Sequence, residues 1–380
     1  MGKAQEIVRQ AFIMHFGNPE FYCFSPGRAN ILGEHIDYNG GIVLPFAISN
    51  GIHFFAKITY RNHTKIYALN TDEWYSYSDD TNPIGWANYF KAALDNKGLD
   101  FGLQICFGGD LPIGAGLSSS SAIVCGLVYL LDTILKGKAS DIGLLDEAIK
   151  IERGNGVLGG VMDQTAIFFG RKDSCMILDC KTNKFEYAEI DPKWHFYLFD
   201  TRIKHELVQS DYNVRAMECQ EALYLINFGK IDTYRYLTDI PINTLNSLAK
   251  VLSSNLMRRV TYVIEEQIRV IKAIHALHSH DIRELGALMY QSHFGLCDSY
   301  EVSWPEADWL VNFAQSLGIV GARMMGGGFG GCTINLSENK LNQIDIQRMK
   351  DLFYTQFGNT LDIYEVKASH GILACTGQNS

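Results

Sequence analysis

The segment Pro112-Ile113-Gly114-Ala115-Gly116-Leu117-Ser118-Ser119-Ser120-Ser121-Ala122 constrains this chain most. Before it, Phe101 to Phe107 alternates apolar and polar residues as a half-buried strand does, and Gly108-Gly109-Asp110-Leu111-Pro112 reads as a turn. After it, Ala122 to Leu131 is an apolar run with the look of a buried helix. Glycines let the backbone turn sharply and come close to a ligand. The helix that follows offers free N–H groups and the positive end of its dipole. Small hydroxyls can bond phosphate oxygens or ligate Mg²⁺. Strand, glycine loop and helix together form the architecture of a phosphate cradle. The loop is not of the Walker A type, because no Gly-Lys-Ser/Thr follows, and it lacks the third glycine of a dinucleotide fingerprint. A glycine-rich turn closed by a serine cap has the same composition, so both readings stand at this point.

Three further segments carry unusual chemistry. Ser25-Pro26-Gly27-Arg28-Ala29-Asn30-Ile31-Leu32-Gly33-Glu34-His35-Ile36-Asp37-Tyr38-Asn39-Gly40-Gly41 packs Arg, Glu, His and Asp between glycine-rich turns. That is more polar than a packed core strand, and it suits a polyhydroxyl ligand: carboxylates accept hydroxyl protons while Arg and His donate. A solvated loop with local ion pairs is the plain alternative. Gly159-Gly160-Val161-Met162-Asp163-Gln164-Thr165 follows Glu152; an Asp after a glycine pair is most often a helix cap. Gly326-Gly327-Gly328-Phe329-Gly330-Gly331-Cys332 leads into strand-like Thr333 to Leu336 rather than a helix, so it reads as a tight loop beside another backbone or a phosphate. His275, His278 and His280 read as an exposed helix end and not as a metal site.

At roughly 150 residues per domain, 380 residues suggest two domains. Strands are expected at Ile42 to Leu44, Ile52 to Ile58, Met176 to Leu178, Phe196 to Phe199, Cys332 to Leu336 and Leu361 to Val366. The first 60 residues read as β-rich runs and turns. Residues 210–289 are mainly helical, as at Ala216 to Leu225 and Val263 to Leu277. The class is α+β, with domains at 1–180 and 181–380. A net charge of −9 argues against duplex-DNA or polybasic membrane binding. The longest apolar stretch, ending at Asp132, is too short to span a bilayer, and the first residues lack a secretory pattern. Nine cysteines without a Cys-x-x-Cys pair read as reduced core thiols of a cytoplasmic protein.

Taken together, the segments resemble the GHMP small-molecule kinases. Arg28 to Tyr38 is similar to the sugar signature of the branch that phosphorylates galactose, and Gly114 to Ser120 to the family's ATP-binding motif. Gly160 to Gln164 and Met325 to Thr333 match two further motifs. Trp86-Ala87-Asn88-Tyr89 resembles a segment whose Trp packs near adenine, and Ser210 to Arg215 one that supplies a Tyr to the sugar site. The likeness extends through Ser292 to Glu306 and covers nearly the whole chain. This sequence departs from the pattern at Ile36 (usually Thr), Ser121 (usually Ala) and Ala216 (usually Arg). It also departs in a Gly154 to Gly160 stretch one residue short.

The resemblance implies a two-domain fold: an N-terminal mixed-sheet domain, a ferredoxin-like C-terminal domain, and the site in the cleft between. It implies ATP-dependent phosphorylation of the anomeric hydroxyl of galactose by a cytoplasmic monomer, with no nucleic-acid or membrane partner. Kinases of galacturonate, N-acetylgalactosamine or arabinose, or a catalytically silent sugar sensor, are the alternatives. Asp163 would act on the anomeric hydroxyl with Arg28 beside it. Glu34, His35, Ile36, Asp37, Gly160 and Tyr212 would bind the sugar. Trp86, Gly114, Ala115, Gly116, Leu117, Ser118, Ser119 and Ser120 would bind ATP, and Ser120 with Glu152 would hold Mg²⁺.

Overall fold

The structure, a computed structural model, describes residues 2–59, 63–77, 83–112, 114, 116–137, 139–156, 159–203, 208–231 and 233–372. Ile113, Ala115 and Cys375 lie outside the described residues.

The chain opens with a helix, α1 (Lys3–Phe16), where β-rich runs and turns were expected. Val8 and Phe12, one turn apart, bury against Phe55, Tyr67 and Cys106, and that short stripe is enough to hold the helix on the sheet. Next come β1 (Phe21–Asn30), β2 (Ile42–Val43), β3 (Pro45–Thr59), β4 (Lys65–Ala68), β5 (Glu73–Ser76), α2 (Ala87–Lys97) and β6 (Gly102–Gly109). Five of these strands form a sheet in the order β1-β3-β6-β4-β5. The β4–β6 pair is parallel and the others antiparallel, so the sheet is mixed. Helix α3 (Ser119–Ile134) packs on β1 and β3, where Gly126 leaves room for Phe54 and Ser25. Helices α4 (Asp141–Gly154) and α5 (Met162–Phe169) pack beside α3.

Strands β7 (Ser174–Asp179) and β8 (Lys184–Glu189) pair with β2 in a small antiparallel sheet. This hairpin straddles residue 180, where the sequence suggested a boundary. The change of sheet falls between Glu189 and His195.

The second domain holds β9 (His195–Asp200), α6 (Val208–Asn227), α7 (Leu245–Leu248), α8 (Ser254–His278), α9 (Ile282–Phe294), α10 (Pro305–Ser316), β10 (Gly321–Met324), β11 (Cys332–Ser337), α11 (Gln343–Phe357) and β12 (Asp362–Val366). Its sheet is antiparallel, in the order β10-β11-β9-β12. Tyr197 and Phe199 of β9 share an apolar cluster with Met349 and Phe353 of α11 and Leu310 of α10. Ser253 and Asp281 cap α8 and α9 by accepting backbone N–H groups. His275, His278 and His280 are exposed, and the described residues contain no metal-holding cluster of His, Cys, Asp or Glu. The eight described cysteines are free thiols, six of them buried. Among the described residues no helix is long and apolar enough to cross a membrane.

Several contacts join the domains. Ala368 bridges Ile48, while Ser369 N–H donates to Ala47 O at 2.8 Å and Gly371 N–H to Gly170 O at 2.7 Å, so the last strand's sequel returns to the first domain. Arg323 of β10, 0% exposed, donates through Nε to Ile31 O at 2.7 Å, through Nη2 to Asn30 O and, at 3.2 Å, to Glu34 Oε1.

Candidate active site

Between the domains lies a cavity of about 500 Å³, a size suited to a small ligand. Strand β1 delivers its first polar group. The β1–β3 register shifts between Pro26 and Arg28, and Gly27 lacks a side chain where a Cβ would meet Leu111 at 2.4 Å and Leu117 O at 3.2 Å. The loop after β6 therefore rests on the strand's backbone, and Arg28 points into the cleft. Residues 25–30 read as more polar than a packed core strand, yet they form the buried end of β1, because the strand's polar groups reach partners across the molecule. Arg28, 4% exposed, donates through Nε to Asp163 Oδ1 at 2.7 Å and through Nη2 to Oδ2 at 2.9 Å. Its Nη1 donates to Gly116 O at 2.7 Å. Burial alone would disfavour the guanidinium charge, and the Asp163 carboxylate more than offsets that. Asp163 sits inside α5, whose cap position is Val161, so it is not the helix cap that its Gly-Gly context suggested.

The residues of the expected phosphate loop line the same cavity: Gly114, Gly116, Leu117, Ser118, Ser119 and Ser120. Gly116 has φ +76°, and a Cβ there would stand 2.9 Å from Met325 O. Gly326 faces it, with its own Cβ position 3.0 Å from Gly116 O. The two glycine loops, one from each domain, touch backbone to backbone, and the second is the tight loop expected from its sequence. Ser118 has φ +54°, an uncommon region for a residue with a Cβ. Its hydroxyl does not cap α3 but donates to Asp163 Oδ2.

Deeper in the cavity, Glu152 is 3% exposed. Ser121 Oγ donates to both its oxygens, at 2.9 and 3.0 Å, Gln164 Nε2 donates to Oε2, and Ser120 lies within bonding reach. Burial pushes its carboxyl up to about 7 against the pull of those bonds. Gln164 Oε1 is buried there without a hydrogen-bond partner. A carboxylate that lacks a counter-charge, hydroxyls and an unpartnered amide oxygen make an all-oxygen set that fits a hard divalent cation. Gln164 and Ser121 are additions that the motif reading did not select.

Glu34, His35, Asp37, Gly160 and Tyr212 come together on the opposite wall. Glu34 Oε1 accepts from Arg323 Nη2 and, at 3.0 Å, from Gly326 N–H. Burial, then the nearby Asp163 carboxylate, raises the Asp37 carboxyl to about 7. Gly160 is glycine of necessity: a Cβ would stand 2.2 Å from Asp37 Oδ2. Tyr212 lies over His35 with ring centres 5.2 Å apart.

Two expected residues stand apart. Ile36 is fully buried against Gly41 and does not line the cavity. Trp86 packs edge-on against Tyr75, Phe90 and Phe107 and donates to Glu73 Oε2 at 2.6 Å; Tyr89, one turn along α2, lines the cavity in its place. Several residues escaped the sequence reading altogether. Arg323 fixes Glu34. Glu266, 0% exposed, accepts Gly33 N–H at 2.9 Å and Ser292 Oγ–H at 2.8 Å, and Tyr262 OH donates to Glu34 O at 2.9 Å. Each acts at a sequence distance that no local motif spans.

Fold and site together define a small-molecule kinase of the GHMP class. Residues 84–171 match the GHMP kinases N terminal domain and residues 273–353 the GHMP kinases C terminal domain. Residues 10–58 match the galactokinase galactose-binding signature. The chain belongs to the galactokinase family: it is 34% identical to the galactokinase of Thermosipho africanus, over 92% of this chain and 98% of that protein. It is 36% identical to that of Clostridium tetani, over 90% of each. Among solved structures, Lactococcus lactis galactokinase complexed with galactose superposes with a TM-score of 0.87 at 28% identity, covering 96% of this chain and 98% of that one. Methanococcus jannaschii mevalonate kinase, at 16% identity and a TM-score of 0.65 over 93% of this chain and all of its own, shares the fold.

Proposed function

We propose that this chain transfers the γ-phosphoryl group of ATP to the anomeric hydroxyl of galactose. The observation that carries the reading is the Arg28–Asp163 fork tied to the Gly116 carbonyl, which puts a proton acceptor and a fixed cation where sugar wall and phosphate loop meet. Phosphoryl transfer asks for positioning and charge stabilisation more than covalent help. Asp163 orients the hydroxyl and takes its proton late, as the P–O bond forms, because a carboxylate is a weak base toward an alcohol. Arg28 stabilises charge on the moving phosphoryl group. Ser118 steadies the second Asp163 oxygen.

Glu34 and Asp37 accept from sugar hydroxyls, while His35, Gly160 and Tyr212 shape the wall. The loop from Gly114 to Ser120 receives the phosphates through backbone N–H groups and the α3 dipole. Ser120 and Glu152 would hold Mg²⁺, which supplies the neutralisation of phosphate charge that this lysine-free loop lacks. Tyr89 supports placing the nucleotide along α2. A cytoplasmic monomer acting on small molecules fits this reading.

The test is ADP release over a panel of aldoses and uronic acids. Galactose should be turned over and glucose, differing only at C4, should be poor, because a misplaced hydroxyl leaves buried polar groups unpaired. Faster turnover of galacturonate than of galactose would overturn the sugar assignment. Activity that survives excess chelator would overturn the metal assignment.

A further inference from the structure

Behind the sugar wall, polar groups from separate segments stand in file. Cys219 Sγ of α6 lies 3.1 Å from Tyr300 OH; Tyr300 OH lies 2.9 Å from Tyr38 OH; Tyr38 OH lies 2.7 Å from His35 Nδ1; and His35 Nε2 lies 3.2 Å from Gly327 O. Counting hydrogens leaves one arrangement. A carbonyl oxygen only accepts, so Nε2 carries the ring proton. Burial pushes His35 down to about 4, so at neutral pH the ring is neutral and Nδ1 accepts. Tyr38 has a single hydroxyl hydrogen, and it goes to Nδ1. The Tyr38 oxygen must then accept from Tyr300, which uses the only hydrogen of Tyr300. The Tyr300 oxygen in turn accepts the Cys219 thiol hydrogen, and burial, pushing that thiol up to about 11, keeps it there.

We infer that Cys219, Tyr300 and Tyr38 form a one-way hydrogen-bond relay that locks His35 as its Nε2–H tautomer, fixing the Gly327 carbonyl and through it the Tyr212 side of the sugar pocket. The three are positioning residues, and the inference rests on the sugar site proposed above. Both ring nitrogens of His35 are spent within the protein, so its part in the pocket is to be a rigid wall. The backbone there needs holding, because His35 sits at φ +61°. Asn39 Nδ2 donates to His35 O at 2.8 Å. Tyr212 lies against Gly327 so closely that a Cβ on that glycine would stand 3.1 Å from its ring. The far end is anchored as well: Arg215 Nε donates to Tyr300 O at 2.8 Å and Arg259 Nη1 to Ser299 O at 2.6 Å. The relay thus ties the sugar signature, α6, the turn after α9 and the second glycine loop into one unit.

The experiment reads the His35 tautomer by ¹⁵N NMR on the full-length, unliganded protein with labelled histidine, assigned by the signal lost in His35→Gln. Steady-state kinetics run alongside. The wild type should show a single Nε2–H form. Tyr38→Phe keeps the ring and removes the donor to Nδ1. The signal should move toward a mixture of tautomers, and galactose KM should rise about tenfold while kcat and the KM for ATP stay within about twofold. Cys219→Ser can donate as the thiol does and should behave as wild type. Cys219→Ala cannot, and should raise galactose KM. An unmoved tautomer and unmoved KM in Tyr38→Phe would overturn the relay. If Tyr38→Phe fails to fold, equal behaviour of Cys219→Ser and Cys219→Ala would overturn it instead. The tautomer needs no substrate to be read. A shifted signal in a protein that ignores galactose would therefore support the relay and overturn only the sugar reading.

Discussion

Arg28 meets Asp163 side-on, Nε to Oδ1 and Nη2 to Oδ2, and its remaining amino group holds the carbonyl of Gly116. One guanidinium thus sets the distance between the proposed base and the proposed phosphate loop. An ammonium on a flexible stem cannot occupy three acceptors in one plane.

Asp163→Asn keeps the shape and removes the charge. Its kcat should fall by about 10² to 10⁴ with little change in galactose Kd, because the lost interaction belongs to the transition state. Arg28→Lys should follow the same pattern, whereas Asp37→Asn should chiefly weaken galactose binding. Calorimetry beside single-turnover kinetics separates the cases, and wild-type turnover by Asp163→Asn would remove it from the chemistry.

Glu152 makes stability depend on pH. Its carboxyl is raised to about 7 in the fold, mainly by burial, against about 4.5 when unfolded. Between those values the unfolded chain has released the proton and the folded chain has not, so this group's contribution to stability falls as pH rises from about 4.5 to 7. Glu152→Gln removes that loss. At pH 8 without Mg²⁺ it should be more stable than wild type, by on the order of 3 kcal/mol, and near wild type at pH 4.5. Denaturant titrations at the two pH values decide it. The same variant should lose Mg²⁺-dependent activity, so stability and function pull opposite ways at one residue.

Gly116→Ala places a methyl 2.9 Å from Met325 O in a backbone region that costs an L-residue roughly 1–2 kcal/mol. The KM for ATP should rise about tenfold or more, with galactose affinity nearly unchanged. An equal loss of both would mean that the two glycine loops had parted and the cleft had opened.

Arg323→Met leaves Glu34 without its buried cation and two carbonyls of the first domain without donors. Unfolding free energy should drop by about 3–5 kcal/mol, seen as a lower urea midpoint, and galactose binding should weaken with it. A wild-type midpoint would show that Arg323 does not hold the domains together.

What the sequence discloses and what it hides follow one physical line. Helix α3 is legible because Ala122 to Leu131 is buried on nearly every side, and β6 because Leu103, Ile105 and Phe107, at every second position, bury in one apolar cluster. Arg28, Glu34, Asp37 and Asp163 are legible because short motifs hold them. Helix α1 is hidden because only Val8 and Phe12 bury fully, too few to show a period. Strand β1 misleads because its buried Arg28 finds partners 88 and 135 residues away, and local polarity then reads as exposure. Tyr38, Tyr300 and Cys219 look like any core residues until the fold lines up their hydroxyls and thiol. Trp86 lies in a recognisable segment, yet its indole turns to Glu73 and the aromatic core.

Arg323 also dictates when the enzyme can begin to exist. It orients Glu34 from 289 residues further along the chain, and the stretch from Ala368 to Gly371 completes the first domain's edge. On the ribosome, where chains grow at about 5–20 residues per second and early domains ordinarily fold first, the leading half of this one emerges with Glu34 unheld. The nascent protein is therefore without a working cleft until β10 and the stretch through Gly371 have been made, however early its first half folds.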